Sequence, residues 1–148
     1  MKTTHQFYFK NAKDMSAVSS ESVDLVVTSP PYPMIEMWDE VFTLQDKTIG
    51  KALKANDGPT AFESMHRQLD SVWEEVDRVL KPSGIVCVNI GDATRTIRGD
   101  FALYSNHSRI ISFFLKQGFT GMPIILWRKQ TNAPNKFMGS GMYPPGLM

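Results

Sequence analysis

Ser29, Pro30, Pro31 and Tyr32 form a run of residue types suited to one task, holding a flat group that carries an NH2. Proline fixes φ at about −65° and has no N–H to donate. It also drives the residue before it into extended geometry. Ser29-Pro30-Pro31 therefore predicts a stiff loop that continues neither a helix nor a central strand. The exocyclic amine of cytosine or adenine is a poor nucleophile because its lone pair is delocalised into the ring. Acceptors placed on its two hydrogens draw electron density to nitrogen and aim the lone pair at an electrophile. Ser29 Oγ and the Pro30 carbonyl are the candidate acceptors, since that carbonyl is not tied up in a sheet ladder. Tyr32 is a ring on which the base can stack. A base in a duplex must first rotate out of the stack at a cost of a few kcal/mol, part of which an aromatic pocket recovers. Such catalysis rests on positioning and preorganised electrostatics and needs no strong base. The competing reading is a stiff loop without a ligand. The preceding apolar strand and Thr28-Ser29 weigh against it.

The elements that position this corner follow from periodicity. Val23 to Val27 is an apolar run of strand length and predicts a buried strand. The corner then stands at the carboxyl end of a strand, where open α/β sheets bind ligands. Gln6 to Phe9 predicts a short strand and Ala12 to Val18 a helical turn. The stretch 35–56 is mixed and predicts no element. After the break Asp57-Gly58-Pro59, apolar residues recur every three or four positions at Phe62, Met65, Leu69, Val72, Trp73, Val76 and Leu80, a helical stripe. Thr60 and Glu63 fit a capping box at its start, and Lys81-Pro82-Ser83-Gly84 fits its end. Ile85 to Ile90 predicts a second buried strand with Gly91-Asp92 at its carboxyl end. Ser105 to Gln117 predicts a helix stopped by Gly118, and Met122 to Trp127 a third strand. Alternating strands and helices imply an α/β fold with a mostly parallel sheet.

The chain has 148 residues, enough for one domain with a real core. Formal charge is +1, from 16 Lys and Arg against 15 Asp and Glu. That balance neither requires nor excludes nucleic acid, because a basic groove can hide in a neutral total. The single cysteine, Cys87, cannot form an internal disulfide, which fits a cytoplasmic protein. No apolar run approaches the roughly 18 residues of a membrane span, and Met1 to Lys10 lacks the apolar stretch of a secretory signal. His5, His66 and His107 lie far apart with no cysteine or acidic cluster, so no metal site is expected. His66 is expected on a helix surface. Tyr8, Trp38 and Trp127 are expected in the core or a pocket wall, and Trp73 in the core.

Val23 to Tyr32 resembles the catalytic motif of the amino-group DNA methyltransferases, which methylate cytosine N4 or adenine N6 with S-adenosylmethionine. Ser-Pro-Pro-Tyr is typical of the cytosine-N4 branch, whereas the adenine branch more often has Asp at the position of Ser29. Trp73 to Gly84 resembles the family's next helix and its Arg-Val-Leu-Lys-Pro-x-Gly turn. Ile85 to Asp92 resembles the following strand and its end, and Gly121 to Lys129 a later strand ending in Trp-x-Lys. A catalytic motif near the amino terminus is similar to the permuted subgroup in which the cofactor half comes second. The resemblance implies a Rossmann-like methyltransferase fold and S-adenosylmethionine as cofactor. It also implies DNA as substrate, with adenine-N6 methylation or a non-catalytic subunit as alternatives. It assigns Ser29, Pro30, Pro31 and Tyr32 to catalysis, and Thr28, Pro31 and Asp92 to the cofactor. Tyr32, Arg95, Arg98 and Lys129 are assigned to DNA. The recognised DNA sequence and any companion restriction endonuclease are not legible.

The family also needs a glycine loop after a buried strand to cradle the cofactor's methionine moiety. Phe137-Met138-Gly139-Ser140-Gly141 imitates that loop, but Lys129 to Lys136 is polar and holds Pro134, and Pro144-Pro145 blocks a following helix. The expectation is one incomplete domain over 1–148 comprising the catalytic half. Its tail, 128–148, is loop-like and fits the start of a target-recognition region, with a second polypeptide as one source of the cofactor half. Asp92 has a plainer role open to it as a turn cap, and Arg95, Arg98 and Lys129 as solvated surface.

Overall fold

The computed structural model describes residues 2–127. Strand β1 (Val23–Thr28) runs parallel to β2 (Leu80–Val88), with Val26 opposite Val86, Val27 opposite Cys87 and Thr28 opposite Val88. Parallel neighbours need a crossover of about a dozen residues or more. Here it contains a 3₁₀ turn at Glu36–Trp38 followed by α1 (Asp39–Gln45), α2 (Lys47–Lys54) and α3 (Gly58–Val79). The stretch without a predicted element thus supplies two helices. Asp46 opens α2 by accepting hydrogen bonds from the Thr48 N–H at 2.8 Å and the Thr48 hydroxyl at 2.7 Å.

The long helix is confirmed over most of its predicted length, but its cap is different. Asp57 accepts the Thr60 N–H at 3.1 Å, with Pro59 in the first turn. Thr60 is therefore inside the helix, and Glu63 reaches Arg109 instead of closing a capping box. Asp57→Ala is expected to lower stability by about 1 kcal/mol, read as a shifted urea midpoint with unchanged slope.

After β2 the chain forms an unforeseen antiparallel hairpin, β3 (Ala93–Ile97) and β4 (Asp100–Tyr104). Its two-residue loop, Arg98-Gly99, has positive φ at both positions, 54° and 86°, the signature of the type I′ turn that matches strand twist. An arginine at the first position concealed the signal usually carried by asparagine or aspartate. Helix α4 (Asn106–Lys116) follows and ends where predicted.

The core lies between the helices and one face of the β1/β2 pair. Ala61, Met65, Leu69, Trp73 and Val76 of α3 bury one stripe against Phe42, Ile49, Ile110, Phe113 and Phe114. Burying a large apolar side chain contributes about 1.5–3 kcal/mol, so this stripe is the principal stabilising element.

Three predicted features differ. Gln6 to Phe9 is not a strand, and Phe7 and Phe9 are exposed. Met122 to Trp127 is not a strand either, and Ile125 is 92% exposed. An apolar run becomes a strand only when a neighbouring strand takes its N–H and C=O groups. Finally, β1 and β2 are buried on one face only. Val26 and Val86 point to the core, whereas Leu25 (53%), Val27 (71%), Ile85 and Cys87 form an exposed apolar face. Among the described residues no helix is long and apolar enough to cross a membrane.

Candidate active site

The corner sits where the sequence places it. The ladder continues one residue past β2, as the Thr28 carbonyl at the end of β1 accepts the Asn89 N–H at 2.8 Å. Ser29 is exposed, Pro30 is buried, and Pro31 and Tyr32 are half-buried. Ser29 Oγ stands 3.4 Å from Tyr32 Oη, so both hydroxyls share one side of the loop. The Tyr32 ring packs against Gly91 at the end of β2: a Cβ added there would lie 3.4 Å from Cε2. Gly91 thus lies directly beside the ring, close enough for an added Cβ to sit in ordinary van der Waals contact with it.

The loop then turns sharply. The Tyr32 carbonyl accepts the Ile35 N–H at 3.2 Å, with Pro33 and Met34 as the central residues. Met34 has φ +66°, as the third position of a type II turn requires, although it is not glycine. A residue held in this region costs on the order of 1 kcal/mol or more and persists only where its surroundings enforce it. Met34 is 1% exposed, and its N–H points at Met65 Sδ, 3.3 Å away.

A buried amide ties the corner to the rest of the fold. Asn106, the first residue of α4, donates from Nδ2 to the Pro33 carbonyl at 3.1 Å and to the Gly91 carbonyl at 3.0 Å. Its Oδ1 lies 3.0 Å from His66 Nε2. Asp92 receives the next turn of α4, accepting the His107 N–H at 3.1 Å and holding the ring Nδ1 at 2.7 Å. An acidic residue at a helix N-terminus is stabilising.

A family model described as DNA methylase matches residues 23–142, which include β1, the corner and every later element. The chain belongs to this N6/N4 DNA methylase family. Among relatives, Type II methyltransferase M.MthZI of Methanothermobacter thermautotrophicus is 53% identical over 98% of this chain and 41% of its own length. Type II methyltransferase M.MjaI of Methanocaldococcus jannaschii is 50% identical over 97% of this chain and 51% of its own. A candidate DNA modification methylase of Thermus thermophilus, TTHA0409, solved with S-adenosyl-L-methionine, superposes with a TM-score of 0.63 at 28% identity. That match covers 93% of this chain and 47% of TTHA0409. The chain spans about half the length, or less, of the curated relatives it matches.

The structure separates the remaining predicted residues. Thr28 and Pro31 flank the corner, both half-buried. Asp92 lies beside Gly91, with its carboxylate engaged by His107. Arg95 forms a two-pronged ion pair with Asp39 at 2.8 and 2.9 Å, which ties β3 to the start of α1. Its side chain is 16% exposed, so a phosphate would have to compete with that carboxylate. Arg98 stands exposed at the hairpin tip. Lys129, the tail 128–148 and Phe137–Gly141 lie outside the described residues. Among the described residues neither β1 nor β2 leads through a glycine-rich turn into a helix.

His66 overturns its expected place on a helix surface: it is completely buried. A signal was present, because Phe62, His66, Leu69 and Trp73 follow helical spacing and His66 falls on the apolar stripe. Burial pushes its pKa down to about 4, the Asn106 bond opposing in part and Arg109 adding to the depression. The ring is neutral in the folded protein, with the proton on Nε2 to serve Asn106 Oδ1. The unfolded state, with an ordinary histidine pKa near 6.5, binds the extra proton over the intervening range. Stability is thus fully present above about pH 6.5 and falls as pH drops towards 4, by about 3 kcal/mol in all. Urea denaturation across pH 7 to 4 should show this slope, and His66→Gln should flatten it.

Proposed function

We propose that this chain supplies the amine-binding half of a DNA methyltransferase that moves a methyl group from S-adenosylmethionine to cytosine N4. The observation that carries the reading is the corner itself. A hydroxyl stands exposed at the carboxyl end of a parallel strand, next to a half-buried tyrosine beside a glycine. Ser29 Oγ and the Pro30 carbonyl accept the two amine hydrogens, Pro31 shapes the pocket, and Tyr32 stacks on the flipped base. With S-adenosylmethionine supplying an electrophilic methyl group, Ser29 Oγ and the Pro30 carbonyl would hold the two amine hydrogens and stabilise positive charge on the nitrogen, the surplus proton passing to water. Serine at position 29 favours cytosine over adenine by resemblance to the cytosine-N4 branch.

The cofactor's methionine moiety needs a glycine loop that the described residues do not provide. The exposed apolar face of Leu25, Val27, Ile85 and Cys87 supports a fold completed by further polypeptide, since exposed apolar patches mark packing surfaces. Arg98 contacts the DNA backbone in this reading. The test pairs two measurements. Tritiated S-adenosylmethionine and mixed-sequence DNA are incubated with the chain, alone and with the missing half of a relative, and the methylated nucleosides are separated. N4-methyldeoxycytidine is expected, and N6-methyldeoxyadenosine would move the reading to the adenine branch. Calorimetric titration with S-adenosylmethionine should show tight binding only when the second half is present. Tight binding by the chain alone would overturn the half-fold reading, and no methylated base in either mixture would overturn the enzymatic one.

A further inference from the structure

We propose that Asn106 is a positioning residue that holds the Ser29–Tyr32 corner and Gly91 in register, with His66 setting the direction of its amide. This rests on the reading of the corner as the base-binding site. The two loops leave the ends of paired strands whose ladder stops at Thr28 and Asn89, so it does not extend to Pro33 and Gly91. Asn106 bridges these two. One amide group gives one hydrogen to the Pro33 carbonyl and the other to the Gly91 carbonyl, at 3.1 and 3.0 Å. Pro33 adjoins Tyr32, and Gly91 lies beside the Tyr32 ring. A single side chain thus links the residue after Tyr32 to the residue beside its ring.

The amide must face one way. Turned over, its oxygen would meet two carbonyl oxygens, leaving buried acceptors unsatisfied. His66 removes the ambiguity by donating Nε2–H to Oδ1 at 3.0 Å. Its other nitrogen, Nδ1, is buried without a hydrogen-bond partner, so the ring serves the amide alone. Phe62 holds the ring edge-on, with centroids 4.5 Å apart. Asp92 anchors the turn that bears Asn106 from the residue next to Gly91. The left-handed Met34 is the strained product of this arrangement, since the bond to Pro33 fixes the residue before it. Neither Asn106 nor His66 touches the base, and both act through Tyr32.

The test uses the full chain labelled with 3-fluorotyrosine, the Tyr32 resonance being assigned by its loss in Tyr32→Phe. Asn106→Asp keeps the shape and the acceptor for His66 but removes both donors, and His66→Phe frees the amide to turn. Both are expected to shift the Tyr32 fluorine signal, with the helical circular dichroism retained. His66→Gln, whose amide N–H can replace Nε2–H, is expected to return the signal to its wild-type position, which a merely space-filling role would not do. Methyl transfer measured under the conditions that support it should show a tenfold or greater loss of kcat for Asn106→Asp and His66→Phe, with KM for S-adenosylmethionine little changed. An unshifted Tyr32 signal in His66→Phe, or a His66→Gln signal displaced as far as that of His66→Phe, overturns the proposal. These two His66 variants decide it even where Asn106→Asp fails to fold. If the base-binding reading is the one at fault, Ser29→Ala transfers methyl at the wild-type rate while the fluorine shifts persist.

Discussion

Ser29→Ala is expected to lower methyl transfer by about a hundredfold or more while leaving the thermal melt in place. Ser29 is exposed, and its Oγ lies 3.4 Å from Tyr32 Oη, a long and weak contact. Removing it should cost the fold less than about 0.5 kcal/mol. The catalytic loss is larger because the acceptor is already in place when charge develops on the amine nitrogen. Water filling the gap must reorganise at that moment, whereas a hydroxyl on a diproline corner does not. Tyr32→Ala should cost more, since it removes a stacking surface worth about 1–3 kcal/mol per base and uncovers Gly91. Initial rates with the second half present, at saturating DNA and S-adenosylmethionine, beside circular dichroism melts of the chain, separate chemistry from stability. Wild-type rates for both variants would remove the corner from the mechanism.

Trp73→Ala is expected to destabilise the chain by about 3–5 kcal/mol. Trp73 is 1% exposed in the last third of α3, and its ring centroid lies 5.6 Å from that of Phe114 on α4. Phe114 in turn meets Phe113 and Phe119, so the cavity would open in an aromatic cluster that cannot collapse without moving α4. A typical domain has only about 5–15 kcal/mol in total, and the loss should appear as a large fall in urea midpoint. The site should suffer too, because α4 begins with Asn106. Trp73→Phe, which leaves most of the ring contact, should lose much less. A Trp73→Ala midpoint near wild type would show that α3 and α4 are held together elsewhere.

The corner was legible because its signals are local. Val23 to Val27 is one apolar run, and the two prolines forbid regular structure in the next few residues. The α3 stripe was legible for the same reason, its period being written in consecutive turns. The hairpin Ala93–Tyr104 was missed because Arg98-Gly99 gives little local sign of a type I′ turn. The cap was misplaced by three residues because Asp57 and Thr60 both satisfy the pattern, and only the backbone path chooses between them. Gln6 to Phe9 and Met122 to Trp127 have strand composition, but pairing is a property of neighbours and composition does not supply them.

Residues 23–32 determined by themselves that this chain ends a strand in a rigid loop bearing a hydroxyl and a ring. That outcome depends on proline's covalent geometry and on a run of apolar side chains, both properties of a few adjacent residues. Tertiary structure alone decided what holds the loop in place. Pro33, His66, Gly91 and Asn106 come from four separate segments, and Arg95 and Asp39 are 56 residues apart. Hydrogen bonds between such distant groups depend on which faces the helices bury, so they exist only once the core around Trp73 has formed.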